Sequence, residues 1–340
     1  MSDRIAFSGA PGSPYTRKML AVLRYRRIPY SFMLPTNPRL RDLPKPKVSL
    51  LPTFYLPDDA GALQAVTDST PLIRRFEREY PGRSLIPTDP ALAFLNELIE
   101  DYADEWLTKA MFHYRWAYAP DIAKAAAILP CWRGFSTPDA DLIQRGAFVA
   151  ERQIGRLRYV GSNAVTGPVI EASYRRFLAA FEDHLRSYPY LMGQRPGSCD
   201  FAVFGQLTQL AEFDPTPMAL TLEIAPRVTA WVGMMEDQSG LEPGDADWLS
   251  MAALPDTLAA LLAEIGRVYP PVMLANAAAV ASRAAEVTAQ VDGQVWTQQP
   301  FAYQAKCLGW LRQSHADLPA QARGEVDAVL ASAGLSGLFA

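Results

Sequence analysis

Gly12-Ser13-Pro14-Tyr15-Thr16-Arg17-Lys18 is the stretch whose residue types and spacing could do chemistry. Serine is a favoured helix N-cap, and proline at the first helical position gives up an amide that would have no partner inside the helix anyway. A helix starting at Pro14 therefore presents free amides, a partial positive charge and the Ser13 hydroxyl at its tip, a combination that suits an anion such as a thiolate. The same residues also make a plain helix cap, so the chemistry depends on what else the chain brings to that tip. Cys131, Cys199 and Cys307 are too few and too scattered for a disulfide framework. With His113, His184 and His315 equally scattered, no zinc spacing can be assembled, and metal catalysis is not expected.

The elements that position Ser13 follow from local patterns. Arg4 to Ala10 alternates around Ile5 and Phe7 and ends in a Gly-Ala-Pro-Gly turn, which reads as a short strand. The helix after Ser13 puts Met19, Leu20 and Leu23 on one face and ends before Pro29, and Tyr30 to Leu34 reads as a second strand. Strand, helix and strand in succession form a βαβ unit with parallel strands and a right-handed crossover. Pro35 to Ser49 holds four prolines and reads as loop. Leu50 to Leu56 is a strand opening near Pro52, Asp58-Asp59-Ala60-Gly61 a hairpin turn, and Leu63 to Val66 its partner. Asp68-Ser69-Thr70-Pro71 begins a second helix, with Leu72, Ile73 and Phe76 on its apolar face.

This order, with Ser-Pro-Tyr-Thr at the first helix tip and Leu51-Pro52 opening the third strand, resembles the thioredoxin-like N-terminal domain of the glutathione transferases. The resemblance implies that Ser13 hydrogen-bonds the glutathione sulfur and that Tyr15, Leu51, Pro52, Asp68 and Ser69 bind glutathione. It implies a cis Leu51-Pro52 bond, the Leu51 backbone meeting the cysteinyl part of the ligand and Asp68-Ser69 its γ-glutamyl end. From the residues alone, Pro52 also suits a trans edge-strand proline and Asp68-Ser69 a helix cap. Extra residues around Lys47 depart from the family pattern.

From Pro87 the pattern turns helical. Leu92, Leu95, Ile99, Tyr102, Trp106 and Ala110 recur at three and four residues, predicting one long amphipathic helix from Asp89 onward. Its acidic residues Glu97, Glu100, Asp101, Asp104 and Glu105 read as a solvated or subunit-facing side. By resemblance, His113, Tyr114 and Trp116 at its end line the pocket for the second substrate; as residues, Tyr114 and Trp116 equally suit a core. Residues 119–170 are longer than the family usually inserts here. The stretch from Tyr190 to Phe204 resembles the entry to the central buried helix of the family's C-terminal domain, with Gly197 at the cap and Asp200 structural.

Across its 340 residues the chain is 49% hydrophobic and 20% charged, with a net charge of −4, enough for a large core and more than one folding unit. Residues 1–88 carry 14 Lys and Arg against 7 Asp and Glu. A basic N-terminal lobe suits a small anion, whereas the acidic remainder argues against nucleic acid. No apolar run reaches the roughly 20 residues of a membrane span, and the N-terminus lacks a signal-peptide core, so a cytoplasmic location is expected. Beyond residue 240, Leu254 to Val268, Val272 to Val287, Phe301 to Ser314 and Gln321 to Ala333 read as four further helices. The expected architecture is an α/β thioredoxin-like domain over 1–84, an all-α domain over 88–240, and extra C-terminal helices over 241–340 packed on it. The expected function is a glutathione-dependent transferase with glutathione as co-substrate, a small hydrophobic electrophile as partner, and a homodimeric assembly. The rival is a non-enzymatic scaffold or binding protein that keeps the fold.

Overall fold

The computed structural model describes residues 4–340; the N-terminal residues Met1-Ser2-Asp3, on which the signal-peptide reading partly rests, lie outside them. The chain opens with β1 (Ile5–Ser8), α1 (Pro14–Tyr25), β2 (Tyr30–Met33), β3 (Thr53–Pro57), β4 (Leu63–Val66) and α2 (Ser69–Glu79). The sheet order is β2-β1-β3-β4, with β1 parallel to β2 and antiparallel to β3, and β4 antiparallel to β3. Phe7 on β1 lies opposite Phe54 on β3, and their rings stack at 4.5 Å, with Phe76 of α2 tilted against Phe54 at 5.7 Å. These rings, with Met19, Val22 and Leu23 of α1, fill the space between sheet and helices. The Leu51-Pro52 peptide bond is cis.

The long helical stretch runs through α3 (Pro90–Tyr102), a π turn (Ala103–Leu107) and α4 (Thr108–Ala117). The single wide turn was not visible in the apolar spacing. A π turn frees main-chain carbonyls from the ordinary ladder, and here two are taken from outside: Tyr15 Oη donates to Asp104 O at 2.9 Å and Gln304 Nε2 to Glu105 O at 3.3 Å.

The acidic side of this stretch corrects the solvated-face expectation. Glu100, Asp104 and Glu105 are buried, because α1 covers one flank and the C-terminal extension the other. Among the described residues no group of three or more His, Cys, Asp or Glu is arranged to hold a metal ion.

The bundle continues with α5 (Ala119–Cys131), α6 (Asp139–Ile154), α7 (Gly167–His184), α8 (Ser198–Leu210), α9 (Pro215–Ile224) and α10 (Pro226–Met235). Every residue of α8 is buried. Its start is closed by Asp200, which accepts from Gly197 N at 2.9 Å and Leu191 N at 2.8 Å, so its role is structural. α8 lies directly on α1 because Gly205 has no side chain: a Cβ there would stand 2.6 Å from Pro14 O and 3.1 Å from Lys18 Cβ. Gly205→Ala is therefore expected to destabilise the fold by about 1–3 kcal/mol by pushing on backbone that cannot yield. Denaturant unfolding checks this, and a variant as stable as wild type would show that α1 can shift freely.

The extension contains α11 (Asp256–Ser282), the hairpin β5 (Val287–Val291) and β6 (Gln294–Gln298), α12 (Ala302–Ala316) and α13 (Ala320–Ser332). Two expectations are corrected here. The first two predicted helices are one, because α11 continues through Pro270 and Pro271, where burial of Val268, Tyr269, Val272 and Met273 outweighs the lost ladder bonds. The end of the second predicted helix, Val287, belongs instead to β5. The hairpin turns at Asp292 and Gly293, both at positive φ (51° and 78°), the geometry that two-residue hairpin loops favour.

α11 is long and apolar enough, by length and composition, to cross a membrane, although Asp256, Glu264 and Arg267 keep its uninterrupted apolar run short of 20 residues. It packs against α7, α12 and β5, and more than half of its most apolar window is buried in the protein.

Candidate functional site

Ser13 caps α1 as its residue type dictates: its backbone is extended (φ −99°, ψ 119°) and its Oγ accepts from Thr16 N at 3.3 Å. The fold then brings the Leu51 carbonyl to the same hydroxyl, Ser13 Oγ donating to it at 3.3 Å. Both bonds are long, which leaves the hydroxyl easily redirected. The exposed Leu51 amide donates to nothing among the described residues.

Asp68 and Ser69 stand at the start of α2. Asp68 occupies the N-cap without a side-chain capping bond, and its backbone sits at φ 88°, ψ 112°, outside the left-handed helical region that non-glycine residues tolerate best. Such a conformation costs of order 1–3 kcal/mol and persists where the surroundings over-determine it, often at functional sites. The carboxylate freed from capping is taken up by the extension: Tyr303 Oη donates to Asp68 Oδ2 at 2.7 Å. Burial pushes the Asp68 carboxyl up from its ordinary value, opposed by the Tyr303 hydrogen bond and by the charges of Lys18 and Lys306.

The structure uses Tyr15 differently from the ligand-binding expectation. Its hydroxyl is committed to Asp104 O and, at 3.4 Å, to Thr108 Oγ1, so it ties α1 to the π turn instead of facing the tip. One turn further along α1, Lys18 is fully buried and pairs with Glu100 Oε1 at 2.9 Å and Asp104 Oδ2 at 2.6 Å. Thr70 Oγ1, Arg74 Nη2 and Ser198 Oγ also bond Glu100, at 3.0, 3.3 and 2.6 Å. Burial would raise the Glu100 carboxyl, but Lys18 and Arg74 win and hold it down at about 2. For Asp104 burial wins over Lys18, and its carboxyl is pushed up to about 6. This buried network joins the tip of α1, the start of α2, and α8 to the long helix.

The loop before Ser13 is held from the helical bundle. Arg115 Nη1 donates to Gly12 O at 3.0 Å while its Nε bonds Asp214 Oδ1 at 2.9 Å, and Gln209 Nε2 donates to Pro11 O at 3.2 Å. Leu129 and Trp132, at the end of α5, close on the same loop: a Cβ on Gly12 would overlap Leu129 and stand 2.7 Å from the Trp132 ring. No local signal marks these four residues, because their relation to Ser13 spans 100 to 200 positions.

The predicted pocket residues are a correction. Tyr114 and Trp116 are each only 2% exposed. Tyr114 packs on Tyr118 and Tyr174, and Trp116 belongs to a cluster under the α5–α6 hairpin, so neither can wall a pocket. His113 is buried between Ser162 Oγ (2.8 Å from Nδ1) and Glu171 Oε1 (3.1 Å from Nε2). Burial lowers the His113 pKa, against the pull of Glu171, so the neutral ring donates from Nε2 to the carboxylate and accepts the Ser162 proton at Nδ1. Two clefts open on the surface, one between Arg4, Arg27, Tyr30 and Ser239, the other between Arg74, Glu97, Ser314 and Pro319, and neither is lined by Ser13, Leu51 or Asp68.

A four-stranded mixed sheet whose first helix carries a hydroxyl at its tip, followed by a helical bundle around a buried α8, defines a thioredoxin-like unit joined to an all-helical one. Residues 7–84 match the family model of the glutathione S-transferase N-terminal domain and residues 171–238 that of the C-terminal domain. These two stretches of the chain are the N- and C-terminal domains that define the glutathione transferases.

Among solved structures it is similar to a glutathione S-transferase of Methylobacterium radiotolerans in complex with glutathione sulfonate (18% identity, 74% of this chain and 98% of that one, TM-score 0.41). It is also similar to a glutathione transferase of Burkholderia graminis with two glutathione molecules bound per subunit (14% identity, 76% and 87%, TM-score 0.42). No curated protein matches it.

Proposed function

We propose that the protein binds glutathione across the tips of α1 and α2 and uses its thiolate for conjugation or exchange at an electrophilic centre of a small hydrophobic substrate. The observation that carries this reading is the meeting, at one hydroxyl, of the α1 tip and the exposed Leu51 backbone from 38 residues away. Ser13 serves as donor to the thiolate, Leu51 and Pro52 face the cysteinyl part, and Asp68 and Ser69 hold the γ-glutamyl end. Leu129 and Trp132, which close on the loop that carries Ser13, take the pocket-lining role expected of His113, Tyr114 and Trp116.

The magnitudes suffice. Bringing a thiol from pKa about 8.5 to about 6.5 asks for ~2.7 kcal/mol. A helix N-terminus supplies up to ~2 kcal/mol and a hydrogen bond to a charged acceptor ~1.5–3 kcal/mol. Ser13 moves no proton; the thiolate it stabilises attacks the electrophilic carbon.

Residues 1–84 form the glutathione-binding unit in this reading, 88–240 the helical one and 241–340 an extension packed on it, in a cytoplasmic homodimer. A second reading, a non-enzymatic scaffold with the same fold, is favoured by one observation: the Ser13 hydroxyl already has a protein donor and a protein acceptor.

Ser13→Ala separates the two. It is expected to leave glutathione affinity near neutral pH within a few-fold while raising the bound thiol's pKa by about a unit, because water replaces part of the lost hydrogen bond. Activity towards a generic electrophile then falls most at low pH. Thiolate absorbance titrated against pH is the measurement, and superimposable curves for both proteins would assign the hydroxyl to capping alone and favour the scaffold.

A further inference from the structure

The extension reaches the start of α2 through one face of α12. Tyr303, Lys306 and Trp310 recur there at three and four residues, while Gln304, Cys307, Leu308 and Leu311 are buried on the side that docks α12. Gln304 anchors that side to the π-turn carbonyl of Glu105. The Tyr303 hydroxyl hydrogen-bonds Asp68 Oδ2 at 2.7 Å across 235 residues of sequence. A carboxylate offers about four lone-pair sites on two oxygens, so this bond occupies part of the group and fixes its plane. It also restrains a residue held at φ 88°, a conformation that needs such restraint.

One turn along, Lys306 is exposed and takes part in no salt bridge among the described residues. Its ammonium lies 4.2 Å from the Trp310 ring centre and 5.9 Å from the ring centre of Tyr303, whose hydroxyl holds Asp68, and its charge acts on the Asp68 carboxyl. The anion-binding capacity of α2 itself is reduced, because Pro71 in its first turn has no amide to offer.

We propose that α12 completes a subsite for the zwitterionic γ-glutamyl end of glutathione, Tyr303 orienting the Asp68 carboxylate toward the ligand's ammonium and Lys306 meeting the ligand's α-carboxylate. The proposal rests on the reading that this protein binds glutathione. Tyr303 is a positioning residue, acting through Asp68; Lys306 supplies the cation that the first turn of α2 lacks.

Calorimetry on the full chain tests it with three probes: glutathione, glutaryl-cysteinyl-glycine, which keeps the carboxylate and lacks the ammonium, and 4-aminobutyryl-cysteinyl-glycine, which keeps the ammonium and lacks the carboxylate. Tyr303→Phe is expected to weaken glutathione and the aminobutyryl probe about five- to tenfold and to leave the glutaryl probe unchanged. Lys306→Met, which retains an apolar stem over Trp310, is expected to weaken glutathione and the glutaryl probe about fivefold and to spare the aminobutyryl one.

Tighter glutathione binding by Tyr303→Phe would overturn the proposal by making Tyr303 a competitor for Asp68, and equal losses for all three probes would overturn it by making the contact merely structural. Wild type binding glutathione with both variants unchanged would overturn this inference alone. Wild type binding none of the probes would overturn the glutathione reading and this inference with it.

Discussion

Lys18→Met is expected to destabilise the protein by about 3–5 kcal/mol, the cost of breaking a buried ion pair from one side. Lys18 lies 2.9 Å from Glu100 and 2.6 Å from Asp104 and is buried with them, so methionine fills the volume but leaves two carboxylates facing each other. Arg74, Thr70 and Ser198 still serve Glu100, whereas Asp104 loses its only ion-pair partner among the described residues.

The pH dependence has a definite sign. In wild type the Glu100 carboxyl is depressed to about 2, so its contribution is present above the unfolded value of about 4.5 and is lost as pH falls toward 2. Asp104 acts oppositely: raised to about 6, it subtracts stability as pH rises from its unfolded value of about 3.9 through 6. Without Lys18 both carboxyls titrate higher in the folded state, so the deficit of the variant should shrink on acidification, the Asp104 share as pH falls toward about 6 and the Glu100 share below that. Urea unfolding at pH 7 and pH 5 measures this. A deficit under 1 kcal/mol at pH 7 would show that the network only offsets its own desolvation.

The second large effect is on ligand affinity. Asp68→Asn with Ser69→Ala is expected to weaken glutathione binding by about 10- to 100-fold, because a charge-assisted bond to the ligand's ammonium and a hydroxyl at the α2 tip are removed together. Asparagine is the appropriate replacement, since it matches aspartate in size, adds no backbone strain that aspartate does not already bear at position 68, and can still accept from Tyr303. The fold should therefore lose only a capping-sized ~0.5–2 kcal/mol. In wild type, glutathione affinity should fall as pH drops through the Asp68 titration, which burial places above the ordinary aspartate value, since the ammonium needs the ionised carboxylate. Calorimetry decides it, and unchanged affinity in the double variant would remove Asp68 and Ser69 from the site.

The α1 tip, the βαβ unit, the hairpin after Pro52 and the α2 start were legible in the sequence, because each is set by local chemistry: caps, turns and apolar spacing within a few residues. The buried α8 was read from the resemblance of Tyr190 to Phe204 to the family's central helix. The β5–β6 hairpin is missed: its Asp292-Gly293 turn is present in the sequence, but the helical reading carries on to Val287 and nothing is assigned between it and Phe301. Reading the helix tip, the strand entry and the acid-serine pair as parts of one site rested on the resemblance of their order to the glutathione transferases.

Only the tertiary structure decided what faces that site. Tyr15, a neighbour of Ser13 in sequence, turns to the π turn, since residues two apart on a helix point to different sides. His113, Tyr114 and Trp116 go to the interior because the α5–α6 hairpin and α7 cover them. Arg115, Leu129, Trp132 and Tyr303 arrive at the loop before Ser13 or at Asp68 across separations of 100 residues and more, where a packed interior sets position and one sequence carries no local sign of it. The buried charges of Glu100, Asp104 and Glu105 show the same limit: an acidic helix side reads as solvated until the neighbouring elements that bury it, Lys18 on α1 and Cys307 on α12, are in place.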